Sequence, residues 1–348
     1  MYQKIILYFT TYFDKNYLSR GLVLIESLQQ QTPEFELYVL CLDDFTTQYF
    51  IENKTQYPQI ILLSLSEIEK EDEELFACKG NRSMIEYYFT LSPCLPLFLL
   101  KKYALPHICS LDADIKFYAS PDRLFDLSKH SIVITPHKFS QEITYKEKSG
   151  KNNVSFQILK NDSIGISCLE LWRELCIDWC KDELDLENDR FADQKYLDNW
   201  EQKYAPNIKI LNDNVSGLAS WNLNNFVITE KDSFFNSNDE RIIFYHFHHN
   251  KLLNKRWATN GFHKNQVKNQ KGITEIYKDY WNNINKFNRL LKIKQEIYIR
   301  TTGASKKLPL VLLEENSVFL RLSKGIIVPI NFSKIPFKIR NLIRKMYA

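Results

Sequence analysis

Ile108-Cys109-Ser110-Leu111-Asp112-Ala113-Asp114-Ile115-Lys116-Phe117-Tyr118 is the stretch from which the rest of the chain is read. An apolar run ends in two carboxylates one residue apart, and a second apolar run follows. Ile108 to Leu111 reads as a buried strand of a mostly parallel sheet, because such strands are unbroken apolar runs. Desolvating a lone carboxylate is costly, so Asp112 and Asp114 belong where the strand leaves the sheet, or beside positive charge. In open α/β sheets that carboxyl edge is where ligands bind. Residues two apart on an extended chain point the same way. Two same-facing carboxylates at a sheet edge suit a hard divalent cation that also holds phosphate oxygens. On its own an Asp-x-Asp is a weak signal, expected about once by chance in a chain of this length, and a solvated loop pair is the competing reading.

The chain has 348 residues, enough for one large domain or one domain with an appendage. Its net charge of +4 is too small to argue for nucleic acid, and no nucleic-acid-binding motif is present. Cys41, Cys78, Cys94, Cys109, Cys168, Cys176 and Cys180 are odd in number and fit no zinc module, so reduced thiols and a cytoplasmic setting are expected. Met1 leads straight into a short apolar strand with no charged leader, which argues against a signal peptide. No run is long and apolar enough to span a bilayer. Sequons such as Asn53-Lys54-Thr55 then read as chance matches.

Upstream, Ile5 to Phe9 reads as strand one, Thr10 to Tyr17 as the loop after it, and Leu18, Leu22, Leu24, Ile25 and Leu28 as one face of a helix. Phe35 to Leu42 and Gln59 to Leu63 are strands two and three. This alternation predicts a doubly wound α/β sheet from the start of the chain. Asp14 and Asn16 either face a ligand at the sheet edge or serve as turn and cap residues. Glu67 to Cys78 reads as an acidic helix. A second helix, opened by Asn81, Arg82 and Ser83, is expected to end near Pro93. Arg82 is either a surface residue or a guanidinium reaching a diphosphate.

Downstream, Lys116 to Tyr118, Ser131 to Thr135 and Asn152 to Leu159 read as strands, and Ile166 to Cys180 as an amphipathic helix with Trp172 and Trp179. Asp193-Gln194 either caps a helix or aims polar groups into a cleft. Arg241 to His249 reads as a strand in which His246 and His248 share a face. Three histidines there, followed by Lys251, Lys255 and Arg256, fit a metal ligand beside phosphate-binding cations. Residues 258 to 300 read as polar and helical, and Leu310 to Ile330 as two or three strands. Residues 334–348 have apolar residues at helical spacing with five basic residues and no acid, which suits an amphipathic helix on an anionic membrane surface on its inner, cytoplasmic face; a helix docked on the protein body is the equal alternative.

Together these motifs resemble the GT-A-fold glycosyltransferases, and among them bacterial relatives of glycosyltransferase family eight, in the nucleotide-diphospho-sugar transferase superfamily. The resemblance covers roughly residues 3–260. It rests on Thr10-Thr11-Tyr12-Phe13-Asp14-Lys15-Asn16-Tyr17, Leu111-Asp112-Ala113-Asp114, Asn152-Asn153-Val154, Phe191-Ala192-Asp193-Gln194-Lys195 and Tyr245-His246-Phe247-His248. It implies a Rossmann-like α/β fold, a mostly parallel central sheet flanked by helices, in residues 1–260. A helical and short-strand extension over 261–333 and the basic segment 334–348 would form a small C-terminal appendage.

The resemblance also implies roles. Asp112 and Asp114 match the family's Asp-x-Asp pair, ligands of Mn²⁺ or Mg²⁺, with Asp112 also meeting the ribose, and His246 matches the third metal ligand. Thr11, Tyr12 and Asn16 would lie near the base, with Asn153, Asp193 and Gln194 facing the donor sugar and Gln194 beside the anomeric carbon. Arg82, Lys251 and Arg256 are the cations available to a diphosphate. The chain departs from the family at His249, where the pattern has Gly; at Lys255-Arg256-Trp257, where it has Lys-Pro-Trp; and at Ser155, a usual Gly. His248 is an alternative to His246 as ligand. The implied activity is transfer of a sugar from a nucleotide-diphosphate sugar, a UDP-sugar first, to a glycan or lipid-linked acceptor, with retention, in bacterial surface polysaccharide synthesis. A sugar-nucleotide-binding partner subunit and a metal-dependent phosphohydrolase are the other readings.

Overall fold

The computed structural model describes residues 6–32, 34–250, 252–254, 257–258, 271–291, 310–312 and 319–320. The chain forms two compact units. The first takes in residues up to 138, then 144–217 and 242–246; the second takes in 139–143, 218–241 and the described residues after 246.

The first unit opens as strand β1 (Leu7–Phe13), helix α1 (Leu18–Gln31), β2 (Phe35–Cys41), α2 (Asp44–Glu52) and β3 (Ile60–Ser64). Helices α3 (Leu65–Glu71), α4 (Glu73–Cys78) and α5 (Met84–Tyr103) lead to β4 (His107–Leu111) and β5 (Ile115–Phe117). Strands β6 (Ile132–Pro136) and β7 (Asn152–Lys160), helices α6 (Ser163–Asp178) and α7 (Trp200–Tyr204), and β8 (Ile208–Ile210) follow. Further along come β9 (Leu218–Ala219), β10 (Ile228–Lys231), β11 (Phe234–Ser237), β12 (Glu240–Arg241), β13 (Phe244–His246), β14 (Leu252–Asn254) and β15 (Trp257–Ala258). Helix α8 (Lys271–Leu290), β16 (Leu310–Leu312) and β17 (Phe319–Leu320) complete the described elements.

Seven strands form the central sheet in the order β3-β2-β1-β4-β7-β6-β8. All neighbours are parallel except those of β7, which runs antiparallel to both β4 and β6. The chain winds outward from β1 through β2 and β3, then returns to lay β4 on the other side of β1. The edge between β1 and β4 is therefore the point where strand order reverses, the usual ligand crevice of such sheets. The core is apolar on both faces: Phe9, Leu37, Val39, Ile108, Cys109, Ile132, Val133, Ile158 and Leu159 are all buried. At Gly21 a Cβ would sit 2.4 Å from the Phe13 ring, so only glycine lets α1 lie this close to β1.

Several boundaries differ from the sequence reading. Strand β1 continues four residues past Phe9, because Thr10 to Phe13 go on pairing with Tyr38 to Cys41 and Thr10 Oγ1 donates to the Tyr38 carbonyl at 3.1 Å. Helix α5 does not stop near Pro93 but carries Pro93 and Pro96 inside it. Each proline removes a helical hydrogen bond, yet Leu91, Leu95, Leu97, Phe98, Leu99 and Leu100 are all buried, and that burial holds the helix together. The acidic helix expected over Glu67 to Cys78 breaks at Asp72, whose carboxylate caps α4 through the Leu75 N–H at 2.9 Å and pairs with Arg173. The strand expected over Arg241 to His249 is split: Arg241 ends β12, and β13 covers only Phe244–His246, as its partner β5 is itself three residues long. His246 ends that strand, so His248 does not share its ladder face.

Strand β13 is held by aromatic packing. Phe244 is fully buried and stacks on Phe156, ring centroids 4.7 Å apart at 17°, with Phe117 5.8 Å away. Phe244→Ala is expected to cost about 3–5 kcal/mol of stability, read as a lower midpoint in urea; a midpoint within about 0.5 kcal/mol of the parent would show the stack to be dispensable.

The second unit contains an antiparallel β10-β11-β12 sheet and a β14-β15-β16-β17 sheet. Helix α8 buries Ile273, Ile276, Tyr277, Tyr280, Trp281, Ile284 and Phe287 along one face. Phe247 stacks flat on Tyr280, centroids 3.7 Å apart at 4°. All seven cysteines are free and buried. No helix among the described residues is long and apolar enough to cross a membrane.

Candidate functional site

Where β4 ends, the Asp112 N–H donates to the Ser155 carbonyl of β7 at 2.9 Å, and the chain turns through Asp112 and Asp114 into β5. Strand β5 pairs antiparallel with β13, setting His246 opposite Ile115. Opposed residues in such a ladder are direct neighbours, so a residue 132 positions downstream of Asp114 lands beside it. His246 Nε2 lies 3.0 Å from Asp114 Oδ1 and 3.4 Å from Asp112 Oδ2.

One ligand atom from each of Asp112, Asp114 and His246 lies within 4.8 Å of the others, the only such group of three among the described residues. Adjacent ligands on one Mn²⁺- or Mg²⁺-sized ion stand about 3 Å apart, so this donor set fits a hard divalent cation. His246 and Asp114 are buried, whereas 40% of the Asp112 side chain is exposed, so Asp112 is the solvent-facing member of the three. Burial opposes charge on both Asp114 and His246, but their mutual attraction wins: the Asp114 carboxyl is held below the usual carboxylate range and the His246 imidazole above its own. Partial desolvation raises the Asp112 carboxyl above the usual carboxylate range, against the pull of His246 and helped by Asp114.

No family model matches the chain. YfnD of Bacillus subtilis (strain 168), an uncharacterised protein, is 27% identical over 243 residues, spanning 69% of this chain and 76% of that one. YfnF of the same organism, also uncharacterised, is 28% identical over 249 residues, spanning 69% and 80%. The solved structure of the galactosyltransferase LgtC, in complex with donor and acceptor sugar analogues, matches with a TM-score of 0.51 at 12% identity, over 80% of this chain and 96% of that one. Both the sheet order and this match assign the architecture. The fold is GT-A.

Within the GT-A sheet, the other residues singled out from the sequence lie as follows. Thr11 is buried in β1, and Tyr12, beside it, donates its hydroxyl to the Tyr88 carbonyl at 2.9 Å and lies 3.2 Å from Ser92 Oγ. Asn16 is drawn into a turn: its Nδ2 donates to Asp14 Oδ2 at 2.7 Å and its N–H to Asp14 Oδ1 at 2.9 Å. Arg82 donates to Thr90 Oγ1 and to the Ile177 carbonyl, bonds that tie the start of α5 to the end of α6. Asn153 is buried in β7; its Oδ1 accepts the Ser155 N–H at 2.8 Å and its Nδ2 lies 3.2 Å from His137 Nε2. With the amide oxygen committed to a backbone donor, Nδ2 is the end that meets His137, whose Nε2 accepts. Burial pulls His137 down to about 3, consistent with a neutral acceptor ring.

Gln194 is the N-cap residue of a short 3₁₀ turn (Lys195–Asn199) but its side chain makes no cap hydrogen bond, and Asp193 directly precedes it. The Asp193 side chain is buried, burial pushes its carboxyl up to about 7, and Oδ2 meets no protein hydrogen-bond partner among the described residues. Its backbone carbonyl accepts from Trp172 Nε1 at 2.9 Å. Gln194 Nε2 donates to the Ser149 carbonyl at 2.7 Å. His248 has described ring contacts with Trp221 (5.1 Å) and His249 (3.9 Å). Lys251, Arg256 and residues 334–348 lie outside the described residues.

The sequence reading missed Arg20. It is buried on α1, its guanidinium lies 4.5 Å over the Tyr17 ring, and its charge helps to hold the Asp114 carboxyl down. A lone charge between Leu18 and Leu22, in the mostly apolar run Leu18 to Ile25, was the available signal.

Proposed function

We propose that this chain is a metal-dependent glycosyltransferase that moves a sugar from a nucleotide-diphosphate sugar, with UDP as the nucleotide, to a glycan or lipid-linked acceptor. The observation that carries the reading is the convergence of Asp112, Asp114 and His246 at the reversal point of a GT-A sheet. Breaking a sugar–phosphate bond leaves a nucleoside diphosphate with new negative charge. A divalent cation, when bound, supplies the counter-charge as that bond breaks. Asp112, Asp114 and His246 would hold it, and Arg20 offsets the charge of the buried Asp114.

The remaining roles follow the same reading. Thr11, Tyr12 and Asn16 lie toward the nucleotide. Asn153, set in orientation by Ser155 and His137, and Asp193 meet the donor sugar, and Gln194 lies beside the anomeric carbon. Arg82, Lys251 and Arg256 are assigned to the diphosphate. A buried carboxyl held near 7 can both accept and donate to a sugar hydroxyl. Retention of the anomeric configuration, a role in surface polysaccharide synthesis, a transferase domain over 1–260 and a membrane-facing segment over 334–348 belong to this proposal.

Calorimetry with UDP, with and without Mn²⁺, beside a turnover assay on a panel of sugar nucleotides, tests it. UDP is expected to bind at least about tenfold more tightly with Mn²⁺, and at least one donor is expected to turn over in the presence of acceptor. Metal-dependent binding with no turnover on any donor would make the chain a sugar-nucleotide-binding partner subunit. Sugar release at full rate without acceptor would make it a phosphohydrolase.

A further inference from the structure

Gln157 is the residue least expected where it stands. It lies on β7 within Phe156-Gln157-Ile158-Leu159, a run whose other three side chains are buried hydrocarbons, and it is itself fully buried. Neither its Nε2 nor its Oε1 meets a protein hydrogen-bond partner among the described residues. A buried amide left that way costs free energy at both ends, and an apolar side chain of similar volume would avoid the cost.

Its neighbours share the condition. Ser110 is its register partner on β4, and Thr10 is the register partner of Ser110 on β1, so three polar side chains run in line across three strands. Thr10 is accounted for by the Tyr38 carbonyl, but the buried Ser110 Oγ has no protein partner among the described residues. The residues Thr10, Thr11, Ser92, Ser110, Asp112 and Gln157 line a cavity of about 20 Å³ beneath α5. Pro96, which also borders it, has no N–H to offer the Ser92 carbonyl one helical turn earlier. A space of this size admits one water-sized oxygen, and a donor and acceptor amide beside hydroxyls can bond it several times over.

We propose that this cavity is a binding site for a single hydroxyl oxygen, held by Gln157 and Ser110. Its source is either an internal water or a hydroxyl of the donor sugar entering past Asp112. The site itself stands without any reaction; the sugar as its source rests on the transferase reading. A water would tie β4 and β7 to α5 directly beneath the solvent-facing carboxylate. A sugar hydroxyl would make Gln157 a specificity residue.

Crystals of the protein alone, and with Mn²⁺ and UDP-glucose as probe, test the site, with UDP-glucose affinity measured for the parent and for Gln157→Leu. An oxygen within hydrogen-bonding distance of the Gln157 amide in the crystals of the protein alone is the expected result and supports the site whether or not a nucleotide binds. If that oxygen persists beside bound UDP-glucose and Gln157→Leu changes affinity less than about twofold, it is a water. If a glucose hydroxyl replaces it and the variant binds about tenfold more weakly, the donor is its source. Crystals in which the Gln157 amide bonds only to protein groups, with no oxygen in the cavity, overturn the proposal even if the chain proves to be a transferase. Those crystals read the site even if Gln157→Leu does not fold.

Discussion

Asp114→Ala is expected to lower sugar transfer at least about a thousandfold and to remove the effect of Mn²⁺ on UDP binding, while leaving the protein folded. Asp114 is the inner carboxylate of the cluster, 7% exposed and 3.0 Å from His246. Its loss removes one of three ligands and half of the fixed negative charge. Removing one partner of a buried pair normally destabilises by leaving the other charge unmatched. Here the other partner is an imidazole, which sheds its proton once Asp114 no longer holds it, so stability falls less than function does. His246→Ala is expected to reproduce the metal defect, because it removes a ligand from a different strand. Calorimetry with UDP, with and without Mn²⁺, reads both variants. An unchanged Mn²⁺ dependence in Asp114→Ala would show that the cation, if any, sits elsewhere.

Asp193→Asn is expected to make the free protein more stable at pH 8 and the enzyme about a hundredfold slower. Burial raises the Asp193 carboxyl to about 7, from an unfolded value near 4. The folded protein therefore holds a proton there that the unfolded chain has already lost. The stability contributed by that proton is fully present below about pH 4 and is lost as pH rises through about 7. Above pH 7 the fold carries a buried carboxylate whose Oδ2 meets no protein partner among the described residues. Asparagine cannot ionise and escapes that cost. The full span from 4 to 7 sets a ceiling of about 4 kcal/mol, and local relaxation brings the expected gain to about 2 kcal/mol at pH 8, with none at pH 4. Thermal unfolding at the two pH values checks this, and an equal shift at both would show that Asp193 is ionised in the fold at low pH as well. A carboxyl kept at a cost to the fold, beside a glutamine fixed on Ser149, is the pattern of a residue retained for a substrate.

Local patterning made much of this legible. The apolar run at Ile108 to Leu111 reads as a buried strand, and two carboxylates directly after it read as standing at its rim or beside positive charge, with a solvated loop pair as the competing reading. The doubly wound sheet followed from strands and helices that alternate from the first residues. The boundaries that failed did so where tertiary contacts overrode local rules. Pro93 and Pro96 read as a stop, yet the buried leucines around them keep α5 continuous to Tyr103. Thr10 to Phe13 read as a loop because they are polar and aromatic, yet β2 offers them a ladder. Arg20 and Gln157 passed unnoticed because single polar residues in apolar runs usually lie on a solvated face, and only the packed core shows that these two do not.

By itself the chain pointed to two same-facing acids after a buried strand, because side-chain alternation and the cost of burying charge act over a few residues and need no partner. It left the third ligand open between His246 and His248, since both read as one face of a single strand. The three-residue length of β5 sets which of the two stands beside the acids: pairing in that register carries His246 to the carboxylates and ends the ladder before His248. Register between distant strands is set by which aromatic side chains, Phe117, Phe156 and Phe244, fit together in the core, and that fit exists only once the chain has folded.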